Sequence, residues 1–252
     1  MKNTPHPPTA WPYLASRIAA LLITAALSHQ SARAAALFTE AFDYAGSGIT
    51  NLTLIGNWTN QAGNMFIVDG NLSVAALADP SVASNRKAWA TNQNSVFNKV
   101  FTSPAVSNGV VYVSFLAHVT AVQTTDNYYS AMLCLDNDGS VSTSSGSGTR
   151  QARAGLVIYY QRLSATTYRI GVRKNEGSAS SGTTAWGTNT FTTNDIVAVV
   201  GKYTFGPGSG DDTVTLWLNP ASVGGSEDGS PAVAASATAN TSDSAPLSQV
   251  VL

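Results

Sequence analysis

Apolar and polar positions alternate with a period of two along much of this chain, most clearly over residues 195–220, DIVAVVGKYTFGPGSGDDTVTLWLNP. Two such runs flank a Gly-rich turn closed by Asp211 and Asp212, so the segment reads as a β-hairpin. Asn219 and Pro220 end its second strand, because proline has no amide to give to a ladder. In that strand Val214, Leu216 and Leu218 fall on one face, the expected core, and Thr213, Thr215 and Trp217 on the other. Over residues 167–174 the same alternation sends Tyr168, Ile170 and Val172 inward and Arg169, Gly171 and Arg173 outward. Residues 109–122, 128–135 and 154–162 complete the set of long strands. They are expected beside the hairpin in one sheet.

Shorter strand candidates stand at 37–44, 65–68, 72–76, 87–91 and 96–101, divided by Gly, Asn, Asp and Pro. That spacing marks an antiparallel meander or sandwich. The Ser/Gly-rich stretches 140–149 and 177–184 read as loops, since strong strand patterns stand on both sides of each. Residues 221–245 carry no long apolar period and are expected to wrap the surface before a final strand at 247–252. With no return strand after it, that final strand is expected to leave a bare sheet edge, and the sandwich reads as truncated, lacking its last strand.

Composition agrees with an all-β domain: of 252 residues 44% are hydrophobic and only 11% charged, enough for one large core and too few for salt-bridged helices. Residues 1–36 read as a signal peptide. Lys2 and Arg17 precede a short apolar run at 18–27, and small residues follow at 32–36. The run is too short to span a bilayer, and no later segment looks like a transmembrane helix. Removing this segment takes Lys2, Arg17 and Arg33 from the 13 basic residues and nothing from the 14 acidic ones. The net negative remainder, residues 37–252, argues against nucleic acid as a partner.

Beyond the signal segment the residues resemble secreted bacterial domains of the concanavalin A-like, laminin G-like jelly-roll superfamily. The likeness rests on LFTEAFDYAGSGITNL, the Trp58 and Asn71 region (NWTNQAG through VDGNLSV), the strand VVYVSFLAHV, and GKYTFGPGSGDDTVTLWLNPA, and covers nearly all of 37–252. It implies two antiparallel sheets packed face to face, in exported proteins that often end in a Pro-Glu-Pro sorting anchor. The chain stops before any such tail, so membrane contact is expected only through the signal peptide or an anchor beyond Leu252.

Catalytic chemistry finds little support. The glucanase pattern Glu-x-Asp-x-x-Glu sets two carboxylates into one cleft, and none of Glu40, Glu176 and Glu227 begins it. Glu40 and Asp43 lie on opposite faces of a regular strand. His118 is the one histidine after residue 36, it sits within a strand, and no Gly-x-Ser-x-Gly elbow accompanies it. Cys134, the single cysteine, lies in an apolar run where a buried thiol acts as a small hydrophobe. A lone His and a lone Cys cannot make an ordinary zinc site.

Two acidic loops have oxygen ligands suited to calcium, as lectin-like jelly rolls often use. One holds Asp136 and Asp138; it resembles part of an EF-hand loop, with Cys134 in the place of the first ligand and Ser145 in that of the last. The other holds Asp211 and Asp212. Both also suit plain turns in which Asp caps backbone amides. No cofactor is required; calcium is the metal to look for.

A sugar-binding face would combine rings with planar polar groups. The outward set Arg169, Arg173, Lys202 and Trp217 could form one if their strands are neighbours, with Tyr128, Tyr129, Tyr159 and Trp186 as stacking rings. The alternative is a solvated face whose long side chains cover apolar surface. The expected function is thus an exported, secreted or surface-held, non-catalytic module for glycans or another extracellular polymer. Its rivals are a structural or adhesion domain and a carbohydrate-active hydrolase with an atypical site.

Overall fold

Strands account for all the regular structure in the described part of this protein. The structure, a computed structural model, describes residues 50–51, 58–62, 65–69, 72, 86–90, 96–101, 104–137, 154–174, 183–208, 210–221, 227, 232–236 and 246–252. The expected signal segment 1–36, the first strand candidate at 37–44 and most of the candidate at 72–76 lie outside them, as do Glu40, Asp43, Asp138 and Glu176. The early strands are β1 (Thr50–Asn51), β2 (Thr59–Ala62), β3 (Met65–Asp69), β4 (Arg86–Ala90) and β5 (Val96–Val100). The central ones are β6 (Val110–His118), β7 (Tyr129–Asp136), β8 (Leu156–Arg162), β9 (Thr167–Arg173), β10 (Ala185–Trp186) and β11 (Phe191–Thr192). The chain closes with β12 (Ile196–Thr204), β13 (Thr213–Leu218), β14 (Ala232–Ser236) and β15 (Gln249–Val251).

Every pairing among the described residues is antiparallel. The larger sheet runs β10-β9-β8-β7-β15-β5-β2, with β11 also paired to β9. A four-stranded sheet runs β14-β13-β12-β6, and β1-β3-β4 form a smaller one. The two larger sheets pack face to face in a sandwich. Tyr168, Ile170, Val172, Leu156 and Ile158 of one meet Val197, Val199, Tyr203, Val214 and Leu216 of the other, all essentially without solvent contact. Each such side chain contributes roughly 1.5–3 kcal/mol through burial.

Three expectations are corrected. The long strands do not share one sheet: β6 pairs with β12 of the hairpin, whereas β7, β8 and β9 form a meander in the opposite sheet. Alternation assigns a strand its core face but not its neighbour, and β6 and β7 both satisfy it from different layers. Residues 221–245 do not merely wrap the surface, because β14 pairs with β13 and extends the smaller sheet of the sandwich. The final strand is not a bare edge. β15 is hydrogen-bonded to β5 on one side and β7 on the other.

The hairpin stands as read. Asn219 ends β13 in a left-handed backbone conformation (φ 51°), and its side-chain carbonyl accepts the Ala198 amide at 2.8 Å.

Candidate functional site

Because Tyr168, Ile170 and Val172 fill the core, Arg169, Gly171 and Arg173 emerge from the outer face of the larger sheet. Strand register builds the surface around them. Arg169 stands beside Gln161, which stands beside Tyr129; Gly171 stands beside Tyr159, which stands beside Ala131. On the other side Trp186 of β10 pairs with Gly171.

Gly171 decides how this surface packs. A β-carbon there would lie 2.5 Å from Cε3 of Trp186 and 2.7 Å from the Ala185 carbonyl oxygen, so its absence lets the indole lie against the strand between two arginines. The Arg169 guanidinium sits 5.0 Å from the Trp186 ring centre. That of Arg173 sits 4.8 Å from Tyr159 and 5.6 Å from Tyr129. Tyr129 in turn meets Tyr159 edge to face at 5.3 Å and Trp186 at 6.1 Å. Each cation–π contact is worth about 0.5–2 kcal/mol, more as water is excluded.

Hydrogen bonds fix the polar groups in this array. Arg169 Nε donates to Gln161 Oε1 at 2.7 Å, and Gln161 Nε2 donates to the Asn127 carbonyl at 3.0 Å. Arg173 Nε donates to the Thr184 hydroxyl at 3.0 Å. Tyr159, Arg173 and Gln161 are buried, whereas Tyr129, Trp186 and Arg169 remain partly open to solvent. Tyr129 also lines a hollow of about 260 Å³ with Thr125, Asp126, Asn127 and Tyr128. Asp126 at its rim is held by Arg162 at 2.7 Å, and Asn127 takes a left-handed conformation (φ 61°) that shapes the turn.

Lys202 and Trp217 do not join this surface. They lie on the outer face of the four-stranded sheet, across the sandwich core from Arg169 and Arg173, so the expected single face is two faces. Lys202 Nζ lies 5.9 Å from the Trp217 ring centre and bridges both carboxylate oxygens of Glu227, at 2.9 and 2.8 Å. The Tyr112 hydroxyl donates to the same carboxylate. These bonds, Lys202 first, hold the Glu227 carboxyl below its ordinary range, and burial followed by the bond to Glu227 pushes Tyr112 up to about 12. Trp217 faces away from the core as read, yet it is only 6% exposed and offers no open ring.

The described aspartates of the acidic loops accept hydrogen bonds from the protein's own donors. Asp136 is buried at the end of β7 rather than in a loop; it accepts the Asn137 amide at 2.7 Å and the Gln249 amide group at 3.0 Å. Asp211 accepts the Gly208 amide at 2.8 Å. Asp212 accepts the Gly206 amide at 2.7 Å and the Tyr203 hydroxyl. A β-carbon at Gly206 would lie 2.0 Å from Asp211 Oδ1, so the glycine is what admits this carboxylate to the turn. Among the described residues no three His, Cys, Asp or Glu side chains converge as a metal site.

His118 Nε2 lies 3.2 Å from the Thr193 carbonyl, a tie between β6 and the loop after β11. Cys134 is buried with Val157, Tyr159 and Val251, and that burial, then the charge of Asp136, pushes its thiol far above the usual range. No family model matches the chain, and no curated protein or solved structure shows significant similarity to it.

Two outcomes follow from this geometry. Gly171→Ala drives a methyl into Trp186 and into a backbone oxygen that cannot turn away, and is expected to lower stability by about 1–3 kcal/mol in urea unfolding, with a shifted tryptophan emission. An unchanged midpoint and spectrum would mean that the indole does not rest on the strand. Glu227→Gln is expected to cost less than about 1 kcal/mol at pH 7, since the pair is partly exposed. The Glu227 carboxyl is lowered by folding, so its contribution is complete above the ordinary glutamate range and vanishes as pH falls through the folded value. Urea midpoints of the two proteins should therefore differ at pH 7, and the gap should close as pH falls below the ordinary glutamate range and through the lowered folded value; a gap that does not narrow in acid contradicts the ion pair.

Proposed function

We propose that this chain is an exported, non-catalytic module that binds a glycan or a similar extracellular polymer on the outer face of its larger sheet. The observation that carries the reading is the half-open stack of Arg169 on Trp186 beside Tyr129, fixed through Gln161 and continuous with the hollow at residues 125–129. Aromatic faces accept the C–H faces of sugar rings, and anchored guanidinium and amide groups supply direction. The site is built on strands, whose backbone positions are fixed by the ladder, so little ordering is left to be done on binding. On this reading the sandwich is of the concanavalin A-like, laminin G-like kind that the sequence resembles.

Export is supported by Lys2, Arg17 and the short apolar run at 18–27, and on this reading the module works outside the cell or at its surface. The non-catalytic part is supported by where the nucleophile and base candidates stand. Cys134 is enclosed among apolar side chains, and His118 is engaged with a backbone carbonyl. No cofactor is needed for recognition of this kind, and nucleic acid is disfavoured by the net negative charge of residues 37–252.

Affinity electrophoresis through gels containing a panel of soluble polysaccharides tests the proposal. At least one should retard the protein saturably, and Trp186→Ala should weaken that retardation about tenfold or more, equivalent to about 1.4 kcal/mol, while circular dichroism stays unchanged. Absence of retardation across the panel, or full retention of it in the Trp186→Ala protein, overturns the proposal.

A further inference from the structure

The two guanidinium groups of the outer face differ from other cations of the sandwich in their partners. Arg162, one strand away, is paired with Asp126, and Lys202 on the opposite sheet is paired with Glu227. Arg169 instead donates Nε to the neutral Gln161 amide, and Arg173 donates Nε to the neutral Thr184 hydroxyl. Among the described residues no carboxylate stands within ion-pair distance of either. Arg173 is only 5% exposed, so its charge is nearly withdrawn from water with ring faces and a hydroxyl as its company. Burial of a cation without an opposite charge opposes folding, and ring contacts offset only part of that penalty.

A fold that retains two such charges on one strand face has a local positive field there, with no anion paired to it among the described residues. Position makes the field usable. With Nε committed to Gln161, the Nη edge of the partly exposed Arg169 is the portion that remains for a planar, two-oxygen acceptor. The guanidinium carbon lies 5.0 Å from the Trp186 ring centre, and Trp186 meets Tyr129 edge to face, so a sugar ring can stack close to the bound carboxylate. Residues i and i+4 of one strand are about 13 Å apart, so Arg169 and Arg173 present charge along the strand rather than at one point. The chain beyond residue 36 is net negative, so a general attraction to polyanions does not account for such a site.

We infer that the polymer recognised on this face is an acidic glycan, bound through the carboxylate of a uronic-acid residue paired with Arg169, with its sugar ring against Trp186 and Tyr129 and with Arg173 adding positive charge behind them. This rests on the proposed function above and specifies its ligand class. Arginine rather than lysine is the informative choice here, because only the planar fork engages both carboxylate oxygens in one plane while stacking on an indole.

Isothermal titration calorimetry of the whole protein against four probes tests the inference: polygalacturonate, its methyl ester, a neutral galactan, and a sulfated galactan. Polygalacturonate should bind, and its methyl ester, which keeps the ring and loses the charge, should bind at least tenfold more weakly, as should the neutral galactan. Arg169→Gln should remove most of that preference, and Arg169→Lys, which keeps the charge but not the fork, should not restore it to better than a few-fold. Equal binding of polygalacturonate and its ester, or of the neutral galactan, overturns the acidic-ligand inference and leaves the polymer-binding reading standing. Preference for the sulfated galactan over polygalacturonate overturns the carboxylate assignment. Unchanged affinity in the Arg169→Gln protein places the ligand elsewhere and overturns the site. Failure of all four probes, together with no retardation by any polysaccharide in the wider panel, removes both the inference and the function on which it rests.

Discussion

The larger sheet is joined through its middle by three residues from the end of the chain. Gln249–Val251 lie between β5, formed from residues 96–100, and β7, formed from residues 129–136. The flanking residues extend the seam: the Phe97 and Leu252 amides and carbonyls exchange bonds at 3.0 and 2.8 Å, Phe101 donates to Ser248, and Ser248 donates to Asp136. Side chains reinforce it on both faces. Val250 enters the sandwich core, Val251 joins the outer cluster with Cys134 and Val157, and Gln249 links Asn98 at 2.7 Å to Asp136 at 3.0 Å. All three members of that polar relay are buried, where a hydrogen bond left unmade costs about 1–3 kcal/mol. Without the seam, β2 and β5 have no route into the ladder that contains β7, β8 and β9.

The same constraint explains Asp136. A carboxylate that appeared in the sequence as a loop ligand is the acceptor at the end of this relay, and its neighbour Cys134 is part of the apolar cluster next to it. With β7 fixed in this way, Tyr129 at its other end is held in register with Gln161 and hence with Arg169. The outer face is therefore a consequence of sheet order as much as of the residues on it. Its one unusual component is Gly171, where the lack of a side chain admits an indole from the next strand.

Much of the layer structure was legible in the sequence, because a period of two separates core from surface without any knowledge of neighbours. Val214, Leu216 and Leu218 and the trio Tyr168, Ile170 and Val172 all lie in the core as the alternation requires. Pairing was not legible, since β6 and β7 carry the same pattern into different sheets, and so Arg169 and Arg173 were grouped with Lys202 and Trp217 across a sandwich that separates them. The small residues of β14 gave no periodic signal, and Glu227, between β13 and β14, acquires its role only through Lys202 and Tyr112 on β12 and β6 of the same sheet. Gln161 was similarly invisible as the group that orients Arg169. One sign was available: a glycine in the middle of a well-formed strand marks close approach by another element, and Trp186 is what approaches.

The claim that the terminal strand holds the larger sheet together is tested most directly by urea unfolding of a chain ending at Ala245 beside the chain ending at Leu252, followed by circular dichroism. The account predicts a cooperative transition for the longer chain and loss of that transition, with most of the native β-signal, for the shorter one. Two superimposable unfolding curves would contradict it.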